Sequence, residues 1–166
     1  MSANTGPPEV LAVRVDGLPA PLQEYRQWVG WDWWLRDGTW AKVPLNPRTG
    51  TTAAADNAAT WGSFAEAVRA YHAGKLAGLG FVFTADDPFA GVDLDDCYDP
   101  ATHTLTPQAA LIVAELDSYT EISPRGRGVK VLVRACVPGG KGRRDAKRGI
   151  EIYDRGRYFT LTGVRL

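Results

Sequence analysis

The sequence is poor in cysteine, histidine and methionine, with two, two and one of them among 166 residues. Two cysteines, Cys97 and Cys136, cannot build a disulfide framework, and they cannot complete a zinc site alone. No apolar run approaches the length that spans a bilayer, which excludes a helical membrane anchor within the sequence. Met1 to Ala20 lacks a basic start followed by an apolar stretch, so no signal peptide is read there. A soluble, cytoplasmic protein is expected. Excess charge of either sign is also missing: the formal net charge is zero, and no global basic signal points to nucleic acid. With 45% hydrophobic and 23% charged residues the chain has the balance of a folded domain, not of a disordered one.

The zero net charge conceals an asymmetry. Between Ala85 and Glu121 stand Asp86, Asp87, Asp93, Asp95, Asp96, Asp99, Glu115, Asp117 and Glu121, with no lysine or arginine. From Arg125 onward basic residues outnumber acidic ones roughly four to one. An acidic block followed by a basic block suits a site that holds both metal and polyphosphate, and equally suits two solvated faces.

Local signals give the elements. Residues 1–19, with Gly6, Pro7, Pro8, Gly17 and Pro19, read as a loose lead-in to a domain over 20–166. Leu22 to Gln27 reads as a short helix. Trp28–Leu35 and Thr39–Pro44 read as strands joined at Asp37-Gly38, a strong hairpin signal. Ser63 and Glu66 have capping-box spacing ahead of a helix whose Phe64, Val68 and Tyr71 share a face. Gly78–Thr84 and Gly91–Leu94 read as strands. Thr106 and Pro107 suit the cap and first position of a second helix reaching about Ser118. Further strands are expected over Tyr119–Ile122, Val129–Arg134, Gly149–Tyr153 and Arg157–Thr162, with basic Gly139–Arg148 as a loop. Two helices among many strands indicate an α+β fold with a largely antiparallel sheet.

Gly91-Val92-Asp93-Leu94-Asp95 carries the most chemical information. Residues two apart on a strand share a face, so Val92 and Leu94 can enter a core while Asp93 and Asp95 project together from the other side. Paired carboxylates repel unless a cation stands between them, and Mg²⁺ or Mn²⁺ would serve. Ile150-Glu151-Ile152-Tyr153 repeats the pattern and offers Glu151 as a third carboxylate if its strand lies alongside. Ser123-Pro124-Arg125-Gly126-Arg127-Gly128-Val129-Lys130 is of another kind. Gly126 and Gly128 let backbone amides approach an anion, while Arg125, Arg127 and Lys130 supply positive charge. A D-x-D pair, an exposed glutamate and a basic turn are each also ordinary surface features.

Taken in order, these segments resemble the bifunctional primase-polymerase N-terminal domain of the archaeo-eukaryotic primase superfamily, in its phage and plasmid form. Gly78–Phe83 with Gly91–Asp95 looks like its first motif, and Tyr119–Gly128 like the approach to its second. Glu151–Thr160 with Thr162-Gly163 resembles the third motif region. Lys42-Val43-Pro44, Asn46-Pro47, Thr49-Gly50 and Thr60-Trp61 fit as well, so the resemblance runs from about Tyr25 to Gly163. It implies a catalytic core with an RNA-recognition-like antiparallel sheet, preceded by an N-terminal α/β unit. By the same resemblance Asp93, Asp95 and Glu151 would hold two Mg²⁺ or Mn²⁺ ions. Ser123, Arg125, Gly126, Arg127, Gly128, Lys130 and Arg157 would meet nucleotide phosphates.

The implied partners are a single-stranded DNA template, nucleoside triphosphates and a helicase region in a longer chain, within a prokaryotic or phage-infected cytoplasm. One departure is that Lys130 stands where the family places a histidine. Three readings follow: template-directed nucleotidyl transfer, a primase-like module that binds without catalysing, and a metal-dependent nuclease.

Overall fold

The computed structural model of the chain describes residues 6–166. Eleven strands and two α-helices form an α+β fold in which every strand pairing is antiparallel.

The first sheet has the order β11-β3-β1-β2, from β1 (Trp28–Arg36), β2 (Thr39–Leu45), β3 (Gly78–Phe83) and β11 (Arg157–Leu161). Asp37 and Gly38 turn β1 into β2 with both φ angles positive, at 48° and 76°, the conformation a two-residue hairpin needs to match strand twist. Helix α1 (Phe64–His72) starts at Ser63. The Ser63 side chain accepts from the Glu66 amide while the Glu66 carboxylate accepts from the Ser63 amide, the reciprocal cap that the spacing predicts. Phe64, Ala67, Val68, Ala70 and Tyr71 of this helix join Trp28, Leu79 and Phe81 in the main core. Each such fully buried large side chain contributes about 1.5–3 kcal/mol relative to exposure.

The second sheet has the order β7-β8-β4-β10-β9, from β4 (Phe89–Leu94), β7 (Tyr119–Ile122), β8 (Val129–Arg134), β9 (Arg143–Asp145) and β10 (Ile150–Tyr153). Helix α2 (Pro107–Leu116), capped by Thr106, belongs to this half, with Ala109, Ile112, Val113 and Leu116 packed among Val92, Leu94, Val129, Val131, Ile150 and Ile152. The opposite face of the same strands sends Leu132 and Tyr153 into the main core beside Phe83 and Phe159. Gly91 lies at this junction. A Cβ there would come within 2.8 Å of Phe83 and 2.9 Å of Phe159, so only glycine lets the two halves approach so closely. A small hairpin of β5 (Tyr98–Asp99) and β6 (Thr104–Leu105) links β4 to α2.

Three expectations change. Residues 1–5 of the lead-in lie outside the described residues, but from Gly6 the segment is docked. The amides of Leu11 and Arg14 donate to Pro124 O (2.8 Å) and Thr162 O (2.7 Å), and that of Val13 to the Tyr71 hydroxyl (2.8 Å). Its prolines and glycines mark irregular backbone, not loose attachment. The short helix is a 3-10 segment over Ala20–Glu24, anchored by buried Leu22. The basic stretch after Gly139 is not all loop, because Arg143–Asp145 pairs with β10 as an exposed edge strand.

Candidate active site

Five charged side chains form a single row across the second sheet. Glu121 stands opposite Lys130, Lys130 opposite Asp93, Asp93 opposite Glu151, and Glu151 opposite Arg144. Register partners in antiparallel strands point to the same side, so the row runs over β7, β8, β4, β10 and β9 on one face. Its signs are minus, plus, minus, minus, plus. The single like-charged pair of neighbours is Asp93 with Glu151. Side chains directly opposite are only about 4.5–5.5 Å apart at Cβ, where like charges destabilise a sheet. Asp95, two residues beyond Asp93, adds a fourth carboxylate to this face, after Glu121, Asp93 and Glu151.

The flanking cations hold the row in balance. The Lys130 ammonium is 2.8 Å from Asp93 Oδ2 and lies 4.5 Å from the centre of the Phe159 ring; only 5% of the residue is exposed. Arg144 approaches Glu151 at 3.5 Å from the solvent side. Asp95 has no such cation on it. Burial is the main cause that lifts its pKa above the ordinary carboxylate value, followed by the negative charges of Asp93, Asp96 and Glu151, against a smaller pull from Lys130. Glu121, at the far end of the row, is fully buried and accepts from the Tyr119 hydroxyl (2.7 Å) and the amides of Thr162 (2.8 Å) and Gly163 (2.9 Å). Burial raises its pKa, and these hydrogen bonds oppose the rise.

Over this row closes the loop between β7 and β8. The Gly126 amide donates to Ser123 O at 2.8 Å, and Gly126 itself has φ of 72°, which completes a tight turn. Ser123 Oγ accepts from the Gly128 amide at 3.1 Å, leaving its hydroxyl proton available to a ligand. Gly128 runs close against β4: a Cβ would fall 2.5 Å from Leu94 O and 3.4 Å from Asp95 Cα. The result is a cavity of about 270 Å³ lined by Lys42, Asp93, Asp95, Asp96, Ser123, Arg125, Arg127, Gly128 and Lys130.

Most of the residues expected from the sequence therefore meet. Asp93, Asp95, Ser123, Arg125, Arg127, Gly128 and Lys130 line the cavity, with Gly126 at the turn that shapes it. Glu151 is beside Asp93 but outside the cavity lining. Arg157 is exposed on β11, with its guanidinium 5.7 Å from the Tyr153 ring centre, and does not reach the cavity lining. Lys130, expected at a phosphate, lines the cavity and is paired there with Asp93. Two residues were not singled out from the sequence. Glu121 was visible only as one of nine acidic residues, and nothing local marks it as buried. Lys42 arrives from β2 of the other sheet, so no pattern within its own strand connects it with Asp93.

Among the described residues no three His, Cys, Asp or Glu side chains converge as a ready metal cage. Asp93 and Glu151 are turned toward Lys130 and Arg144. The donor set nevertheless fits a hard divalent cation: Asp93, Asp95 and Glu151 share one face, with Asp93 and Glu151 opposed in register and Asp95 raised in pKa by burial and then by the negative charge around it.

No family model matches the chain. Over 145 residues it is 38% identical to a DNA primase-polymerase of Nitratiruptor phage NrS-1. This chain is a relative of that phage primase-polymerase. The match covers 86% of the chain and 20% of the phage protein, so the chain spans about a fifth of its relative's length. The kinship agrees with the order of motifs along the sequence. Among the described residues no helix is long and apolar enough to cross a membrane.

Proposed function

We propose that this chain catalyses template-directed nucleotidyl transfer, in primer synthesis, primer extension or both. The observation that carries the reading is the juxtaposition of Asp93 and Asp95 with the Ser123–Gly128 loop around one cavity. Neither a carboxylate pair nor a basic turn alone requires a nucleotide; the two facing each other match a metal-bound polyphosphate. The similarity to a phage DNA primase-polymerase supports the same reading. In it, the second sheet with α2 is the RNA-recognition-like catalytic core, and the first sheet with α1 is the α/β unit, built from the N-terminal half of the chain and completed by β11 from its C-terminal end.

Asp93, Asp95 and Glu151 would hold Mg²⁺ or Mn²⁺, which supplies charge for activating a primer hydroxyl and for stabilising the departing pyrophosphate. The chain's own residues provide orientation. Arg125 and Arg127 offer planar donors to phosphate oxygens, and Ser123 offers its hydroxyl. Backbone amides in the Gly126–Gly128 turn add fixed dipoles that need no reorganisation as charge develops. Lys130 neutralises Asp93 and fixes where that carboxylate points. Arg157 would meet phosphate only from outside the cavity, on the β11 side.

The test is incubation with a single-stranded DNA template, nucleoside triphosphates and either Mg²⁺ or Mn²⁺. Product is expected with the unaltered chain and not with Asp93→Ala; absence of product under both metals would count against the reading. The Lys130–Asp93 pair at 2.8 Å favours one second reading, a module that binds nucleotide without extending a strand. Nucleotide affinity without synthesis, unchanged by Lys130→His, would select it.

A further inference from the structure

Lys42 is the one cation of the cavity that comes from the first sheet. It stands opposite Trp33 in the β1–β2 register, and the Trp31 indole is its diagonal neighbour. Its ammonium lies 5.5 Å from the Trp31 ring centre and 5.6 Å from that of Trp33, and these two rings meet edge to face at 5.5 Å. The Lys42 carbonyl accepts from the Tyr158 hydroxyl at 2.8 Å, which pins the backbone beneath the side chain. Aromatic walls and a fixed backbone leave this lysine little freedom to swing into solvent.

What its ammonium lacks is an acceptor. Among the described residues no carboxylate lies within ion-pair distance of Lys42, and its side chain makes no hydrogen bond; its contacts are the two indole faces. Asp93, the nearest candidate in kind, is already bonded to Lys130. A partly buried ammonium with three unused donors is costly unless something fills the space before it. The surroundings specify the missing group. Lys42 shares the cavity with Lys130, Arg125 and Arg127; together they outnumber Asp93, Asp95 and Asp96 by one, and the metal that the proposed function places on the carboxylates would tip the balance further toward an anion. Burial first, then the charges of Lys130 and Arg125, lower the Lys42 pKa to about 8, with Asp93 and Asp95 opposing the fall. A monovalent anion would leave most of these donors unused; a polyphosphate can meet donors on both sides of the cavity at once.

We propose that Lys42, held against Trp31 and Trp33, binds a phosphate of the nucleoside triphosphate from the first-sheet side of the cavity, so that the nucleotide bridges the two sheets. This deepens the proposed function and rests on it. It also gives the tryptophan-rich β1 strand a part in the site: the indoles shield and aim the ammonium, and do not stack on bases.

The same arrangement supplies a measurement. Because the ammonium touches both rings, binding of dATP should change tryptophan fluorescence, and this can be titrated with Mn²⁺ present and without any template. Lys42→Met is expected to weaken dATP binding about ten- to a hundredfold, the loss of one charge-assisted contact. Calorimetry would give the same affinity independently of the indoles. Lys42→Arg should retain affinity within about threefold, since charge and donors remain.

A purely structural lysine would behave otherwise. The melting temperature of Lys42→Met should equal or exceed that of the unaltered chain, because an unpaired charge has been removed from a partly buried place. The affinity of both variants for a labelled single-stranded oligonucleotide should stay within about twofold of the unaltered chain. Unchanged dATP affinity in Lys42→Met, or a loss confined to the oligonucleotide, would overturn the assignment and leave the proposed function standing. If Lys42→Met melts lower, Lys42→Arg decides: normal stability with dATP affinity lost tenfold would also overturn it. Failure of the unaltered chain to bind dATP at all would remove the proposed function, and this assignment with it.

Discussion

The two faces of the second sheet are built from the same strands by the same alternation, yet they solve opposite problems. Val92, Leu94, Val129, Val131, Ile150 and Ile152 turn toward α2 and form a core with no charged group. One residue out of step along the same strands, Glu121, Lys130, Asp93, Glu151 and Arg144 form the charged row. The apolar face stabilises the sheet by exclusion of water. The charged face is held by cross-strand attraction at its ends and leaves one repulsive step, Asp93 beside Glu151, at its centre. This repulsive step is where the divalent cation of the proposed function would act.

That contrast can be broken at several points. The largest effect is expected for Asp93→Ala, which should reduce template-directed synthesis at least about a thousandfold if it carries the chemistry, as loss of a group acting on developing charge does. Asp93→Ala leaves the Lys130 ammonium, 5% exposed, without its carboxylate and should also lower thermal stability; Asp93→Asn, whose side-chain oxygen can still accept from Lys130, should lose activity with far less loss of stability. Glu121→Ala should behave in reverse. It orphans the Thr162 and Gly163 amides and leaves the Tyr119 hydroxyl only its 3.2 Å bond to Gly17 O, for a loss of about 3 kcal/mol or more in urea unfolding. On the apolar face, Val131→Ala should cost about 2 kcal/mol in the same measurement while leaving nucleotide affinity unaltered. Arg144→Ala, which removes an exposed partner of Glu151, should cost less than about 0.5 kcal/mol.

A further effect concerns pH. Lys42 moves from 10.5 when unfolded to about 8 in the fold, so between these values the unfolded chain binds more protons and Lys42 makes stability rise with pH. The stability advantage of Lys42→Met over the unaltered chain should therefore shrink between pH 7.5 and pH 10 in paired denaturation curves. Nucleotide affinity should fall through the same range as the ammonium loses its proton. An advantage constant with pH would show that Lys42 does not titrate as its surroundings require.

How much of this was legible in the sequence follows from the range of the interactions. Ser63 and Glu66, Thr106 and Pro107, and Asp37-Gly38 carry their own turn chemistry, and both helix starts and the hairpin fall where that chemistry puts them. Period-two alternation sufficed to set Asp93 and Asp95 on one face and Glu151 on a comparable one. It could not say that β10 adjoins β4, nor that β8 lies on the other side, since those are pairings over long separations. Lys42 and Glu121 were missed for the same reason. Each acquires meaning only from a partner on another strand, Lys42 from a cavity more than fifty positions away and Glu121 from the amides of Thr162 and Gly163. The docked lead-in was missed because its bonds are made by backbone groups, whose partners side-chain identity does not announce.

Gly91 carries a consequence for how the cavity can vary. The two halves of the molecule touch where Phe83 and Phe159 rest on its bare α-carbon, and two residues farther along β4 the carboxylate of Asp93 is reached. The opening at Asp93 is therefore what remains after two phenyl rings have set the spacing between the halves, much as a hinge pin sets the gap of a door. Enlarging position 91 by one methyl group would act as a wedge at the pin, opening the gap at the carboxylates without altering any residue that touches a ligand. Substitutions at positions 83 and 91 should therefore alter the width of the cavity although neither residue lines it.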